Sequence, residues 1–77
     1  MKNKNTLKLG DNTVKLGDTV MSRFGEARII TMELTDRPRE KHGRKVDEVS
    51  WYWVEQNRVV FDLDNGHWSY SENISQV

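Results

Sequence analysis

The stretch "RVVFDLDNGHWSY" (residues 58–70) decides the fold. Asn65-Gly66 stands between two runs that alternate apolar and polar residues, the strongest short-range signature of a β-hairpin. A type I′ turn needs positive φ at both central residues, which Asn and Gly supply. A two-residue turn sets the register by arithmetic: Asp64 opposes His67, Leu63 opposes Trp68, Asp62 opposes Ser69 and Phe61 opposes Tyr70. One face is then Val59, Phe61, Leu63, Trp68 and Tyr70, expected to be core. The other is Val60, Asp62, Asp64, His67 and Ser69, expected to face water.

Outward from the hairpin, "SENI" (residues 71–74) reads as a short 3-10 turn, with Ser71 as its N-cap and Ile74 folded back onto the core. On the N-terminal side, "GDTVMSRFGEARIITMEL" (residues 17–34) reads as strand, tight turn and strand, with arms at residues 20–24 and 27–34 about Gly25, where a positive φ is cheap. "TDRPREKHGRK" (residues 35–45) contains the single proline and almost no apolar side chain, so it is expected to be a long basic loop. No heptad and no long amphipathic helix is present. Four or five short strands, glycine turns and a closing helical turn imply an all-β fold, a small and strongly bent antiparallel barrel.

These same stretches resemble the small SH3-like barrels of the KOW and Tudor type. In them a Gly-Asp-x-Val opening strand, a glycine turn and a branched strand lead to an "xLDNG" hairpin and a 3-10 turn. They are also similar to small proteins of tailed phages that carry "TRFGxGxI" and "FDLDNGHWAY". The likeness runs over residues 17–74 and is poorest in the basic loop. Ala27 departs from it, since such barrels place glycine there. The resemblance implies an SH3-like fold and a phage accessory protein in the host cytoplasm.

At 77 residues there is room for one domain, and a domain this small buries only about 60% of the surface its unfolded chain exposes. Apolar residues make up 35% of the chain and mean hydropathy is -0.83. The few aromatics must therefore carry much of the burial, and homo-oligomerisation is a natural supplement. Cysteine is absent, which removes disulfides and thiolate metal sites and fits a reducing compartment. The N-terminus is too polar for a signal peptide, and no run approaches the roughly 18 apolar residues of a membrane span. Residues 1–13 are expected to be a flexible tail, and residues 14–77 the domain. "KLGD" occurs at residues 8–11 and again at 15–18; the second copy reads as the start of the domain and the first as an extra edge strand.

Net charge is zero, from 12 basic and 12 acidic side chains, which gives no bulk attraction to long nucleic acid or anionic membrane. Charge is nevertheless segregated. Residues 37–45 hold five bases and one acid, whereas residues 46–64 hold five acids and only Arg58.

In "SWYWVEQ" (residues 50–56), an extended reading of residues 51–55 puts Trp51, Trp53 and Glu55 on one face and Tyr52 and Val54 on the other. Three roles compete for the tryptophans: closing the barrel end against Trp68, forming a homo-oligomer interface, or stacking a flat ligand such as a base. A stacked nucleotide needs its phosphates neutralised. Arg37, Arg39, Lys41, Arg44 and Lys45, with Arg23 or Arg28, are the candidates, because guanidinium binds phosphate bidentately. The competing reading of the loop is a solvated connection.

Catalysis finds little support. Asp62, Asp64 and His67 could ligate a divalent ion, but outward polar residues with an Asp64 to His67 cross-strand pair explain them more cheaply. Ser69, His67 and Asp62 are neighbours in one hairpin and cannot converge as a nucleophile with its base. Paired carboxylates such as Asp47 and Glu48 lack an apolar pocket to split their pKa values, and no phosphate-cradling glycine loop precedes a helix. The reading that remains is a non-enzymatic binder without cofactor or metal. Its site is Trp51, Tyr52, Trp53, Trp68, Arg28, Arg37, Arg39 and Arg44, and its ligand a nucleotide-type small molecule held by stacking and arginine clamping. In a phage protein such capture would sequester a host immune signal. The alternatives are a module docking on a host or viral protein and a KOW-like nucleic-acid accessory protein.

Overall fold

The computed structural model describes residues 12–77. The tail, up to residue 11, and the first "KLGD" copy lie outside the described residues. The fold is all-β and antiparallel, with eight strands among the described residues rather than four or five. In chain order the elements are β1 (Thr13–Lys15), β2 (Thr19–Ser22), β3 (Gly25–Leu34), β4 (Arg44–Val46), β5 (Glu48–Ser50), helix α1 (Trp51–Glu55), β6 (Val59–Leu63), β7 (Trp68–Tyr70), a 3-10 turn (Ser71–Asn73) and β8 (Ser75–Gln76). One sheet runs β7-β6-β3-β2-β8, with β4 also paired to β3, and β1 and β5 form a separate two-stranded ribbon. The pairing path is open, from β7 at one edge to β8 at the other.

β3 is the strand shared by the whole sheet, and it bends. Ile29 pairs with Leu63 but Thr31 pairs with Asp62, so Ile30 is an extra residue in the ladder to β6. A bulge of this kind reverses which alternate residues face inward. Ala27 and Ile29 are buried before it, and Met32 after it. Ile30 itself points outward. The bend thus falls three residues beyond Ala27, the position where the resembling barrels have glycine.

The core is Val14, Val20, Ala27, Ile29, Met32, Val49, Val54, Val59, Phe61, Leu63 and Ile74, with Leu34, Val46, Trp51 and Trp53 packed against it. Phe61 is the largest fully buried side chain, and burying such a ring contributes on the order of 2 to 3 kcal/mol. Ile74 returns to the core as expected. The 3-10 turn, however, has no side-chain cap. Ser71 is not its N-cap but its first residue, buried, with a hydroxyl that donates to Asn57 Oδ1 at 3.1 Å and accepts from the Val59 amide at 3.4 Å.

The hairpin lies where Asn65-Gly66 places it, but its register differs by one residue. Val60 pairs with Tyr70, Phe61 with Ser69 and Asp62 with Trp68. The loop has three residues, not two. The Gly66 amide donates to Leu63 O at 3.2 Å and the Leu63 amide to His67 O at 2.9 Å. Gly66 has φ +88°, while Asn65 is not among the residues with positive φ. This is a type I turn closed by a glycine bulge. A slip of one residue exchanges the two faces of the returning strand, so Ser69 turns inward and Trp68, expected in the core, turns outward, as does the half-buried Tyr70.

Two further expectations are corrected. The basic loop ends at Gly43, because Arg44 and Lys45 belong to β4 and pair with Leu34 and Glu33. The Glu33 carboxylate accepts the Gly43 amide at 2.9 Å. In the first hairpin β2 stops at Ser22, whose hydroxyl donates to Gly25 O at 2.8 Å and accepts the Phe24 amide at 3.1 Å. Arg23 and Phe24 therefore occupy the tip of the turn.

Candidate functional site

The residues 51–55 are helical, not extended. Ser50 caps the helix, its hydroxyl accepting the Tyr52 amide at 3.1 Å. At the other end the Asn57 amide donates to Val54 O and the Arg58 amide to Trp53 O. Asn57 sits at φ +58°, the left-handed conformation that ends helices in a Schellman motif and that Asn tolerates. A helical turn spreads Trp51, Tyr52 and Trp53 around the axis instead of over two faces. Trp51 and Trp53 are half-buried against the core, and Tyr52 stays 55% exposed. Tyr52 meets Trp53 edge-on at 4.8 Å.

Trp53 already carries a cation. The Arg58 guanidinium lies 4.4 Å from its ring centroid and is fixed there by two links to Thr35: Arg58 Nε donates to Thr35 O at 2.9 Å, and the buried Thr35 hydroxyl donates to Arg58 O at 3.1 Å. Arg58 is not among the cations expected at the site. The signal that could have found it is the Asn-Arg pair after a Ser-capped aromatic run, which turns the chain back over the helix.

A second aromatic cluster faces solvent elsewhere. Trp68 is 44% exposed and Phe24 59%. Trp68 meets Tyr70 edge-on at 5.1 Å, and the Lys41 ammonium lies 4.7 Å from the Trp68 centroid. Phe24 stacks flat on the His67 imidazole, 3.9 Å between centroids and 11° between planes, with the Arg23 guanidinium at 5.9 Å. A groove of about 510 Å³ lies among Arg23, Phe24, His67, Trp68, Tyr70 and Asn73, within the usual span of small-molecule sites. The tips of two hairpins build it, and the one-residue register difference supplies Trp68 and Tyr70.

The expected site is thus divided. Among the described residues, Trp68 makes no ring contact with Trp51 or Trp53. The basic loop reaches both clusters. Arg39 donates to the Glu72 carboxylate at 2.8 Å and its amide to Asn57 O at 2.9 Å, fastening it beside the helix, while Lys41 reaches Trp68. Arg37 has only a loose 4.0 Å approach to Glu40. Arg44 is exposed on β4, and Arg28 is exposed on β3 with its amide on the Asp64 carboxylate at 3.0 Å. Neither is brought to the tryptophans by any described contact. Asp64 accordingly does not pair with His67, and Asp62 accepts the Thr31 hydroxyl at 2.6 Å.

A second groove, about 610 Å³, lies between Asn12, Trp51, Val54, Glu55, Glu72 and Ile74. Its rim carries Glu55 and Glu72, the latter paired with Arg39, whereas the Trp68 groove has a guanidinium at one end and an ammonium on its indole. Among the described residues no three His, Asp or Glu gather as metal ligands. No helix among them is long and apolar enough to cross a membrane. No protein-family model, no curated protein and no solved structure matches this chain.

Proposed function

We propose that this chain is a non-enzymatic binding domain that captures a nucleotide-type small molecule on its Trp68 face. The observation that carries the reading is the solvent-facing alternation of rings and cations: Arg23, Phe24, His67, Trp68, Tyr70 and Lys41 about one groove. A base stacks on an exposed indole or phenyl ring whatever its identity, and cations nearby meet the phosphate. Zero net charge favours a ligand with few phosphates over a long polyanion. Phosphate neutralisation moves in this reading from Arg28, Arg37, Arg39 and Arg44 to Arg23 and Lys41. Given the likeness to tailed-phage proteins, the role that capture alone fulfils is sequestration of a nucleotide signal of the host.

The test is calorimetric titration with adenosine monophosphate, adenosine diphosphate ribose and cyclic dinucleotides, for the parent chain and for Trp68→Ala. Stacking is worth roughly 1 to 3 kcal/mol per base, so Trp68→Ala should weaken binding by about 5- to 150-fold. Heats indistinguishable from dilution for the whole panel would overturn the reading, as would binding that ignores Trp68.

A further inference from the structure

β7 stands last in the sheet order, beside β6 alone, and the alternation of its ladder fixes which way its main chain points. The Leu63 amide donates to His67 O at 2.9 Å, and hydrogen-bonded and non-bonded residue pairs alternate along an antiparallel ladder. Phe61 and Ser69 are therefore a bonded pair, whereas Asp62 with Trp68 and Val60 with Tyr70 are non-bonded ones. Trp68 and Tyr70 thus turn their main-chain N–H and C=O groups away from β6, toward the open edge of the sheet.

The Trp68 groove runs along that edge. Inward-facing Ser69 and outward-facing Trp68 and Tyr70 all border it, while β3 and β6 contribute no residue. An opening bordered by residues from both faces of a strand lies at the strand's edge. One edge group is already taken, since Tyr70 O accepts the Ser69 hydroxyl at 2.9 Å. Among the described residues the Trp68 C=O and the Tyr70 N–H, next to each other on the same edge, have no hydrogen-bond partner. An acceptor and a donor thus stand side by side in a groove walled by aromatic rings.

We propose that this edge reads the base of the captured nucleotide: the Trp68 C=O accepts from a base N–H, and the Tyr70 N–H donates to the neighbouring ring nitrogen or carbonyl oxygen. The proposal rests on the nucleotide reading of the Trp68 face. Each standard base carries a donor beside an acceptor on its pairing edge, the edge that proteins reach when a base is unpaired. A base laid in line with the sheet makes both bonds in its own plane and leaves its faces to the rings that flank the groove. An open strand edge is otherwise a template for another strand. Arg23 at the groove and Lys41 over the indole favour an anionic ligand over a neutral peptide. Because main-chain groups do the reading, the site accepts different bases but not the loss of a donor or acceptor from the pairing edge.

Two calorimetric comparisons test it. The first titrates the parent chain with adenosine monophosphate and with purine riboside monophosphate, which keeps the ring nitrogen and the phosphate but lacks the amino group. Losing one neutral hydrogen bond should weaken binding about 2- to 10-fold. The second removes the donor from the protein. Tyr70 has φ -70°, close to the value proline imposes, and its N–H serves no ladder bond, so an edge proline fits there. Tyr70→Pro is compared with Tyr70→Ala, which cancels the loss of the ring, and should bind adenosine monophosphate about 2- to 10-fold more weakly. The ligand comparison needs no variant and decides the matter should Tyr70→Pro fail to fold. Equal affinities for the two nucleotides, or for the two folded variants, would overturn the edge contact and leave nucleotide capture standing. No binding of adenosine monophosphate to the parent chain would overturn both.

Discussion

Asn57 holds three parts of the molecule together. It ends α1 in the left-handed conformation, its Oδ1 accepts the Ser71 hydroxyl at 3.1 Å and the Glu72 amide at 2.9 Å, and its Nδ2 donates to Glu72 at 3.2 Å. Asn57→Ala removes those side-chain bonds, strands the buried Ser71 hydroxyl and places a Cβ residue without compensation at positive φ. Together these should cost about 2 to 4 kcal/mol. Asn57→Gly keeps the backbone conformation and should recover about 1 kcal/mol of that. Urea denaturation of the two variants measures both, and an equal loss would show that the backbone conformation is immaterial. Trp68 is the opposite kind of residue. Half of it is in water and it belongs to no core contact set, so Trp68→Ala should change stability by less than about 1 kcal/mol. A loss of ligand affinity in that variant therefore reports binding and not folding.

At the scale of elements, the hairpin and the helix show where sequence is legible. Asn65-Gly66 located the hairpin correctly, but Asp-Asn-Gly serves equally as a two-residue type I′ turn or as a type I turn plus glycine bulge. Nothing local separates the two. Inward Ser69 and outward Trp68 follow from the second, and hydrophobicity argued for the first. Three consecutive aromatics carry strand propensity, yet Ser50 before them and Asn57 after them are helix-ending residues, and the caps prevailed over propensity. The β3–β4 connection offers a test at this scale. A Cβ on Gly43 would collide with the Leu34 carbonyl and crowd Thr35, and backbone cannot yield as a flexible side chain can. Gly43→Ala should cost roughly 2 kcal/mol and loosen β4, seen as faster amide exchange at Val46. A neutral Gly43→Ala would mean that the loop has room the structure denies it.

For the molecule as a whole, composition and patterning made the all-β antiparallel class readable from 77 residues, while the site was readable only in kind. Of the cations expected at the rings, Lys41 lies over Trp68; the cation over Trp53 is Arg58, which was not among them, and Arg37 and Arg44 lie over neither ring. Which cation reaches which ring depends on the path of a nine-residue connection between Leu34 and Arg44 and on one step of register, and a single sequence encodes neither visibly. The connection touches both aromatic clusters, through Arg39 beside the helix and Lys41 on Trp68. The three tryptophans provide the most direct measurement. In a nitrogen-proton correlation spectrum of the labelled chain each indole N–H gives its own signal, and adenosine monophosphate can be added stepwise. The Trp68 indole should shift progressively to saturation, with Trp51 and Trp53 nearly still. Movement of Trp51 and Trp53 with Trp68 unmoved, or no movement in any of the three, would contradict the proposed binding face.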